Sequence, residues 1–271
     1  MVDELFRRVT QLVTSDNGVT MAGNVGRSKD ARVMYQRPLP KQWLDWSQRR
    51  LNTLAEVLDA QRYLEIGIFR ASTVERVNVR DRVGVDPKPS FNVHQLAPGF
   101  TFLAVTSDAY FASLDPAATF DLAFLGGLHT FEQTRTDLFN ALAHVPSGVI
   151  LIDDTVPEDE AAAIPDLDAT IAKRRETGST RTFWMGDVWK LVFYLDRFVP
   201  ELDFRTIVGS GNEQTLVWRR QRGEAIVEQP GNELGELNYR EAFAHGVPTQ
   251  FRPCGEAEAL QACLQAVRRQ P

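Results

Sequence analysis

Two short apolar segments that end abruptly in polar residues constrain this chain most. One covers residues 120–125 and leads into Gly126-Gly-Leu-His129, and the other covers residues 149–152 and leads into Asp153 and Asp154. Continuous apolar segments of this length are typical of buried parallel strands. In open α/β sheets, ligands bind outside the carboxyl ends of such strands. A histidine after one of these strands and a carboxylate pair after the other therefore predict a catalytic or ligand-binding site.

Length, charge and cysteine content narrow the class of protein. A chain of 271 residues can form one large domain with small extensions. The net charge of −6 argues against nucleic acid or anionic membrane as a partner. No apolar run is long enough to span a bilayer, and the amino-terminal segment lacks the apolar core of a signal peptide. Both cysteines lie near the carboxyl terminus, so a reducing, cytoplasmic location is expected.

Strand-like and helix-like segments alternate along most of the chain. Strands are predicted at residues 63–66, 82–85, 101–105, 122–125, 149–152, 204–208 and 214–218. Helices are predicted at residues 2–14, 41–59, 70–78, 107–114, 130–144, 157–176 and 187–198. The turn Gly209-Ser-Gly-Asn212 favours a closing hairpin. The order predicts an α/β fold with a seven-stranded, mostly parallel sheet and a carboxyl-terminal antiparallel hairpin.

Three parts of the chain are distinguished by this pattern. Residues 1–59 form an amino-terminal helical segment, within which the polar residues 15–40 are lid-like. Residues 60–220 carry the alternating strands and helices, and residues 221–271 predict a helical carboxyl-terminal appendage. The first helix and the appendage are candidate contact elements in a homo-oligomer.

The first predicted strand leads into a loop with a ligand-binding pattern. Glu65 lies near the end of this strand, and Gly67 allows the backbone to approach a ligand closely. Asp86 follows the second strand, where a carboxylate can accept both hydroxyls of a ribose. The glycine-rich fingerprint of dinucleotide sites is absent, which favours a nucleoside ligand. A purely structural turn is the alternative interpretation of this loop.

Five segments, taken in order, resemble class I S-adenosylmethionine-dependent methyltransferases. They are Leu64-Glu-Ile-Gly67, Val83-Gly-Val-Asp-Pro87, Thr106-Ser-Asp-Ala-Tyr-Phe111, Phe120–His129 and Ser147–Asp154. They resemble most the branch whose fourth strand ends in Asp-Gly-Leu-His, which includes small-molecule and sugar O-methyltransferases. Gly186-Asp-Val-Trp-Lys190 is also similar to that branch. The resemblance covers about residues 60–220 and implies a Rossmann-like methyltransferase fold with S-adenosylmethionine as cofactor.

The resemblance also implies how the cofactor is held. The methionine part would contact Glu65, Gly67 and Phe69, with its carboxylate near Thr73. Asp86 would bind the ribose hydroxyls, and the adenine edge would meet Ser107 and Asp108. These last two residues have a structural alternative, because a serine or aspartate at that place also serves as a helix N-cap.

A divalent metal is the second implied cofactor. Family members that use a metal have one acidic or amide position at the end of strand four and two at the end of strand five. Asp153 and Asp154 match the pair, whereas Gly126 occupies the first position and supplies no ligand. Magnesium needs several hard oxygen ligands, so we expect a weakened or absent magnesium site. A polar strand end is the alternative role of Asp153 and Asp154.

His129 matches the residue proposed as general base in the family. The ordinary pKa of histidine, near 6.5, suits removal of a proton from a hydroxyl group. A helix-capping role is the alternative, and Asp153 and Asp154 are the other catalytic candidates. Trp184, Trp189 and Lys190 are candidates for the wall of an acceptor pocket, although a place in the core is the favoured role of Trp189. Gly186 and Asp187 predict a helix start with an acidic N-cap.

These observations predict methyl transfer from S-adenosylmethionine to a hydroxyl of a small molecule, such as a sugar or secondary metabolite. The partner would be this small-molecule acceptor. Two alternatives stay open: a metal-free enzyme that methylates an amine, and a non-catalytic cofactor-binding relic of the fold. Gly126 supports the non-catalytic alternative, because it stands where the family has an acidic residue.

Overall fold

The computed structural model describes residues 41–181 and 183–270, and the side chains from residue 46 onward. The helix predicted at residues 2–14 and the lid predicted at residues 15–40 lie outside the described residues. Within the described part of the chain, no helix combines the length and the apolar character needed to cross a bilayer.

The strands of the described residues form a single sheet. Their bounds are β1 Arg62–Ile66, β2 Asp81–Val85, β3 Phe100–Leu103, β4 Leu122–Leu125, β5 Ile150–Ile152, β6 Leu202–Ile207, β7 Gln214–Arg219 and β8 Pro253–Cys254. The strand order is β3-β2-β1-β4-β5-β7-β6-β8. The first five strands in this order are parallel, and β7 runs antiparallel to both of its neighbours.

The predicted mostly parallel sheet with a closing hairpin is therefore confirmed, and the strand count is corrected. The eighth strand, Pro253–Cys254, pairs in parallel with β6 at the edge of the sheet. Two residues carry no apolar alternation, so this strand has no signal in the sequence.

Helices cover both faces of the sheet. Their bounds are α1 Lys41–Leu58, α2 Ser107–Ser113, α3 Phe131–His144, α4 Leu167–Thr177, α5 Trp189–Phe198, α6 Tyr239–Ala242 and α7 Glu256–Arg268, with 3-10 turns at Asn232–Glu236 and Thr249–Phe251. The N-caps of α2 and α3 are threonines. Thr106 accepts the Ala109 N–H at 3.2 Å, and Thr130 accepts the Gln133 N–H at 3.3 Å. The capping alternatives for Ser107, Asp108 and His129 are therefore wrong.

Two predicted helices differ from the structure. Residues 70–78 form successive turns instead of a helix. Phe69 and Ala71 have φ angles of 43° and 58° there, and the following residues are rich in β-branched side chains, which have low helix propensity. The helix predicted at residues 157–176 begins only at Leu167. Pro165 disfavours helix in the residue before it, and Asp166 caps the helix by accepting the Ala169 N–H at 2.7 Å.

The core consists of one apolar cluster on each face of the sheet. Ile66, Leu125 and Ile152 belong to the cluster beneath α3 and α5. Alternate strand residues, such as Phe124 and Leu151, belong to the cluster beneath α1 and α7. Since α1 and α7 share this second cluster, the tail helix packs directly on the sheet. The three-part division of the chain stays a prediction.

The register of the central strands brings their carboxyl ends together. Ile66 of β1 lies opposite Leu125 of β4, and Leu125 lies opposite Ile152 of β5. The next residues along each strand therefore meet at one edge. Gly67 has a φ of +81°, and a Cβ atom built there would lie 2.2 Å from the Gly126 carbonyl oxygen. The glycine loops after β1 and β4 are thus in close contact.

Candidate functional site

A small cavity lies at the carboxyl ends of β4 and β5. It is lined by residues that include Gly126, Leu128, His129, Asp153 and Asp154. The structure therefore brings together the three residues predicted to be catalytic. They come from two strands that are adjacent in the sheet, which is the arrangement expected of strand-end sites.

The His129 ring is held by two acceptors on one nitrogen. Its Nδ1 lies 3.0 Å from the Trp184 carbonyl oxygen and 3.3 Å from Asp154 Oδ2. A carbonyl oxygen can only accept, so Nδ1 carries the proton and Nε2 has the free lone pair in the neutral ring. Burial lowers the pKa of His129, against the opposing effects of the Asp153 charge and the Trp184 carbonyl. The ring is therefore neutral at neutral pH and presents a basic nitrogen.

The side chain of Trp184 stacks on the His129 ring. The two rings stack with centroids 4.7 Å apart and an interplanar angle of 27°. The Trp184 indole is itself fixed, because Nε1 donates to the Ile164 carbonyl oxygen at 2.8 Å. Trp184 thus orients the histidine through its ring and its backbone. Its predicted role as a wall of an acceptor pocket stays a prediction.

Asp187 caps a different helix from the one predicted. Its Oδ1 accepts the backbone N–H of Phe131, at the start of α3, at 2.8 Å. The N-cap of α5 is Val188, whose side chain makes no capping hydrogen bond. The motif that begins at Gly186 therefore fixes the helix that follows His129. Sequence spacing alone could not reveal this, because the capped N–H lies 56 residues away.

The two aspartates that follow β5 are half-buried. Asp153 Oδ1 accepts a hydrogen bond from the Asn212 amide and another, at 2.9 Å, from Gln214 Nε2. Burial raises the pKa of both Asp153 and Asp154. The charge of Asp154 raises the pKa of Asp153 further, whereas the Gln214 hydrogen bond lowers it. Sequence reasoning treated Asn212 only as a turn residue and did not single out Gln214.

Glu65 is buried on the same face as Asp153. Its Oε2 accepts the Tyr63 hydroxyl at 2.6 Å, and only 2% of the residue is exposed. Burial raises the pKa of Glu65 to about 8, and the negative charge of Asp153 adds to the shift, although the Tyr63 hydroxyl opposes it. Its predicted cofactor contact stays a prediction.

Asp86 joins the ends of β1 and β2. Its Oδ2 accepts the Phe69 N–H at 2.8 Å, and its Oδ1 accepts the Lys88 N–H at 2.7 Å. The carboxylate is thereby fixed in orientation, while each oxygen keeps a further lone pair. The Phe69 side chain is 44% exposed beside it. Thr73 lies in the turns that follow, where its carbonyl oxygen accepts the Arg76 N–H at 2.9 Å.

Ser107 and Asp108 are connected to α3 through a residue that sequence reasoning missed. Gln133 Nε2 lies 3.3 Å from Ser107 Oγ, 3.0 Å from Asp108 Oδ1 and 3.1 Å from Asp137 Oδ1. Burial raises the pKa of Asp137, which the Ser107 hydrogen bond opposes. A glutamine and an aspartate four residues apart give only the signal of a polar helix face. Their role depends on α2 and α3 lying side by side.

The residues present do not fit a magnesium ion. The Asn212 and Gln214 amides both donate to Asp153 Oδ1, so N–H donors face this carboxylate where a cation would bind. Gly126 adds no oxygen ligand. Among the described residues, no group of three or more histidine, cysteine, aspartate or glutamate side chains is arranged to hold a metal ion. The ligand pair predicted at Asp153 and Asp154 therefore faces protein donors.

Comparison with known proteins finds distant structural neighbours. No family model matches this chain, and no curated protein matches its sequence. The O-methyltransferase TomG from Streptomyces achromogenes, involved in tomaymycin synthesis and solved with S-adenosylmethionine, aligns with a TM-score of 0.45 and 16% identity over 80% of this chain and 90% of that chain. The O-methyltransferase from Bacillus cereus, solved with S-adenosylhomocysteine, aligns with a TM-score of 0.40 and 16% identity over 84% of this chain and 100% of that chain.

An N-methyltransferase is similar at the same level. NodS from Bradyrhizobium japonicum aligns with a TM-score of 0.41 and 15% identity over 69% of this chain and 100% of that chain. Likenesses this distant carry no argument about activity. The strand order of the chain itself shows its architecture. The fold is Rossmann-like.

Proposed function

We propose that this chain transfers a methyl group from S-adenosylmethionine to a hydroxyl group of a small molecule. The meeting of His129 with Asp153 and Asp154, beside the glycine loops that follow β1 and β4, carries the proposal. A strand-end cavity with a neutral histidine and half-buried carboxylates suits removal of a proton from a hydroxyl nucleophile.

The cofactor would bind along the ends of β1, β2 and β3. When bound, it would supply an electrophilic methyl group, which passes to the acceptor oxygen as the carbon–sulfur bond breaks and S-adenosylhomocysteine leaves. Asp86 fits the ribose hydroxyls, because two backbone N–H groups fix its carboxylate while lone pairs stay available. The adenine edge would meet Ser107 and Asp108, which Gln133 holds together. The methionine part would lie near Glu65, Gly67, Phe69 and Thr73.

His129 would act on the acceptor as the general base. Its Nδ1 is occupied by the Trp184 carbonyl oxygen and Asp154, so Nε2 is the atom that takes the proton. Asp154 stabilises the ring once it becomes charged. Most of the acceleration would come from positioning the hydroxyl against the methyl group, with proton removal assisting. A sugar or secondary metabolite is the proposed acceptor class.

A non-catalytic cofactor binder is the second candidate. Gly126 favours it, because glycine has no side chain to supply the metal ligand that family members have at this position. Calorimetry with S-adenosylmethionine and S-adenosylhomocysteine, followed by an assay with a panel of hydroxylated and amine acceptors, separates the two. An enzyme binds both ligands and turns over. A relic binds without turnover. Turnover with amines alone would favour N-methylation.

The cofactor site is tested by Asp86→Ala. Loss of two charge-assisted hydrogen bonds should weaken S-adenosylmethionine binding by on the order of 2–3 kcal/mol, measured by calorimetry. Asp81→Ala is the matched control, because Asp81 is the first residue of β2 whereas Asp86 follows its last residue. Equal affinity of the wild type and Asp86→Ala would contradict the site assignment.

A further inference from the structure

The amide of Asn212 is directed at one of the two carboxylates of the site. Asn212 belongs to the turn between β6 and β7, and its Nδ2 donates to Asp153 Oδ1. The neighbouring Asp154 faces His129 instead, whose Nδ1 lies 3.3 Å from Asp154 Oδ2. An N–H donor thus occupies a direction from which a cation would approach Asp153 Oδ1.

Gln214 supplies a second donor to the same oxygen. Its Nε2 lies 2.9 Å from Asp153 Oδ1 and 2.6 Å from Ser47 Oγ, while its Oε1 accepts from Arg50 Nη1 at 2.6 Å. An arginine can only donate, so the glutamine oxygen must face Arg50 and its NH₂ group must face Asp153. The residue is fully buried, which holds this orientation.

Arg50 anchors the turn that carries Asn212. Its Nη1 donates to the Asn212 carbonyl oxygen at 2.6 Å, and its Nη2 donates to the Ser210 carbonyl oxygen. Its Nε donates to Glu256 Oε2 at 2.9 Å, so the guanidinium is paired within the fold. Arg50 lies on α1 and Glu256 on α7. The position of the Asn212 amide is therefore set by two helices and the hairpin together.

A lack of space does not explain why position 126 has a glycine instead of a metal-binding side chain. A Cβ atom built on Gly126 would lie 3.6 Å from Asp153 Cβ and 3.6 Å from Asp153 Oδ2, which is ordinary van der Waals contact. A larger side chain therefore has room to begin there. What disfavours a cation is the pair of amide donors already directed at Asp153.

We propose that the Asn212 amide, held by Arg50 and aided by Gln214, takes the place of a divalent cation at Asp153. The amide donors offset the negative charge of this carboxylate and fix its orientation without a metal. The assignment concerns this carboxylate alone, and it stands whether or not the chain transfers methyl groups.

Manganese binding to variants of Asn212 tests the proposal. Asn212→Asp keeps the shape of the side chain but replaces the NH₂ donor with an oxygen. Loss of the free Mn²⁺ signal in electron paramagnetic resonance should show at least tenfold tighter binding by Asn212→Asp than by the wild type. Asn78→Asp is the matched control, because it makes the same charge change at an exposed site ahead of β2. It should bind as the wild type does.

Asn212→Ala provides a second readout that does not depend on the new carboxylate. Removing the amide takes one donor away from the Asp153 carboxylate and opens space beside it, so Mn²⁺ should raise the melting temperature of Asn212→Ala and leave that of the wild type unchanged. Should Asn212→Asp fail to fold, this rise decides the matter. The proposal is overturned by the absence of that rise, or by folded Asn212→Asp that binds no better than Asn78→Asp. Wild-type Mn²⁺ binding that Asn212→Ala abolishes would also overturn it, because Asn212 would then be a ligand.

Discussion

At the scale of single residues, His129 is the most informative side chain. Proton removal by a positioned base contributes about 10²–10⁴ in rate, so His129→Ala should lower turnover at least tenfold. Cofactor affinity should hardly change, since the described contacts of the ring are with Trp184 and Asp154. Turnover with an accepted substrate and calorimetry with S-adenosylmethionine measure the two effects. His245→Ala, at an exposed residue of the tail, is the control.

The pH profile gives a second test of His129. Burial lowers its pKa, and a base must be unprotonated to act. Turnover of the wild type should therefore hold to lower pH than for an ordinary histidine and fall only below about pH 6.5. Full turnover of His129→Ala would move the base elsewhere, and Asp153 or Asp154 would be examined next.

At the scale of elements, the contact between the β1 and β4 loops is the feature to test. Gly67→Ala places a side chain at a φ of +81°, 2.2 Å from the Gly126 carbonyl oxygen. Left-handed backbone costs a non-glycine residue about 1–2 kcal/mol. Overpacking against backbone adds about 1–3 kcal/mol. Urea unfolding should show both losses, and cofactor binding should weaken as the loop shifts.

Gly209→Ala is the matched variant for Gly67→Ala. Gly209 has a φ of +74°, but a Cβ atom built there has nothing within 4 Å. This variant should lose only the backbone cost of about 1–2 kcal/mol and keep cofactor affinity. Equal losses of unfolding free energy in the two variants would show that the loop contact has no energetic role.

At the scale of the whole molecule, buried carboxyl groups determine how stability responds to pH. Burial raises the pKa of Glu65 from 4.5 to about 8, so above pH 4.5 the folded chain holds a proton that the unfolded chain releases. The contribution of Glu65 is fully present below pH 4.5 and is lost as pH rises to about 8. Burial of Asp153 and Asp154 acts in the same direction.

Urea unfolding across pH 5 to 8 checks this dependence. The free energy of unfolding should fall as pH rises, and Glu65→Gln should flatten the slope because glutamine does not titrate. Glu75→Gln is the control, since Glu75 is exposed and should leave the slope as it is in the wild type. A wild-type slope equal to that of Glu65→Gln would contradict a protonated Glu65 in the folded chain.

Local patterns in the sequence were sufficient for the sheet and for the location of the site. Apolar runs that end at Gly126 and Asp153 predict buried strands, because a strand flanked by helices on both faces must be apolar throughout. The glycine-bearing turn before β7 predicts the hairpin, since its residues favour a reversal of the chain. These signals lie within a few residues of the features they determine.

Only the tertiary structure decided which side chains meet at the site. Asn212 reaches Asp153 from 59 residues away, and Arg50 reaches Glu256 from 206 residues away. Such contacts depend on how helices and strands pack, and residue spacing along the chain carries no record of that packing. The same holds for burial, which sets the pKa of Glu65 and of His129. The sequence determined the fold and the chemical groups at the strand ends, and packing determined their partners and charges.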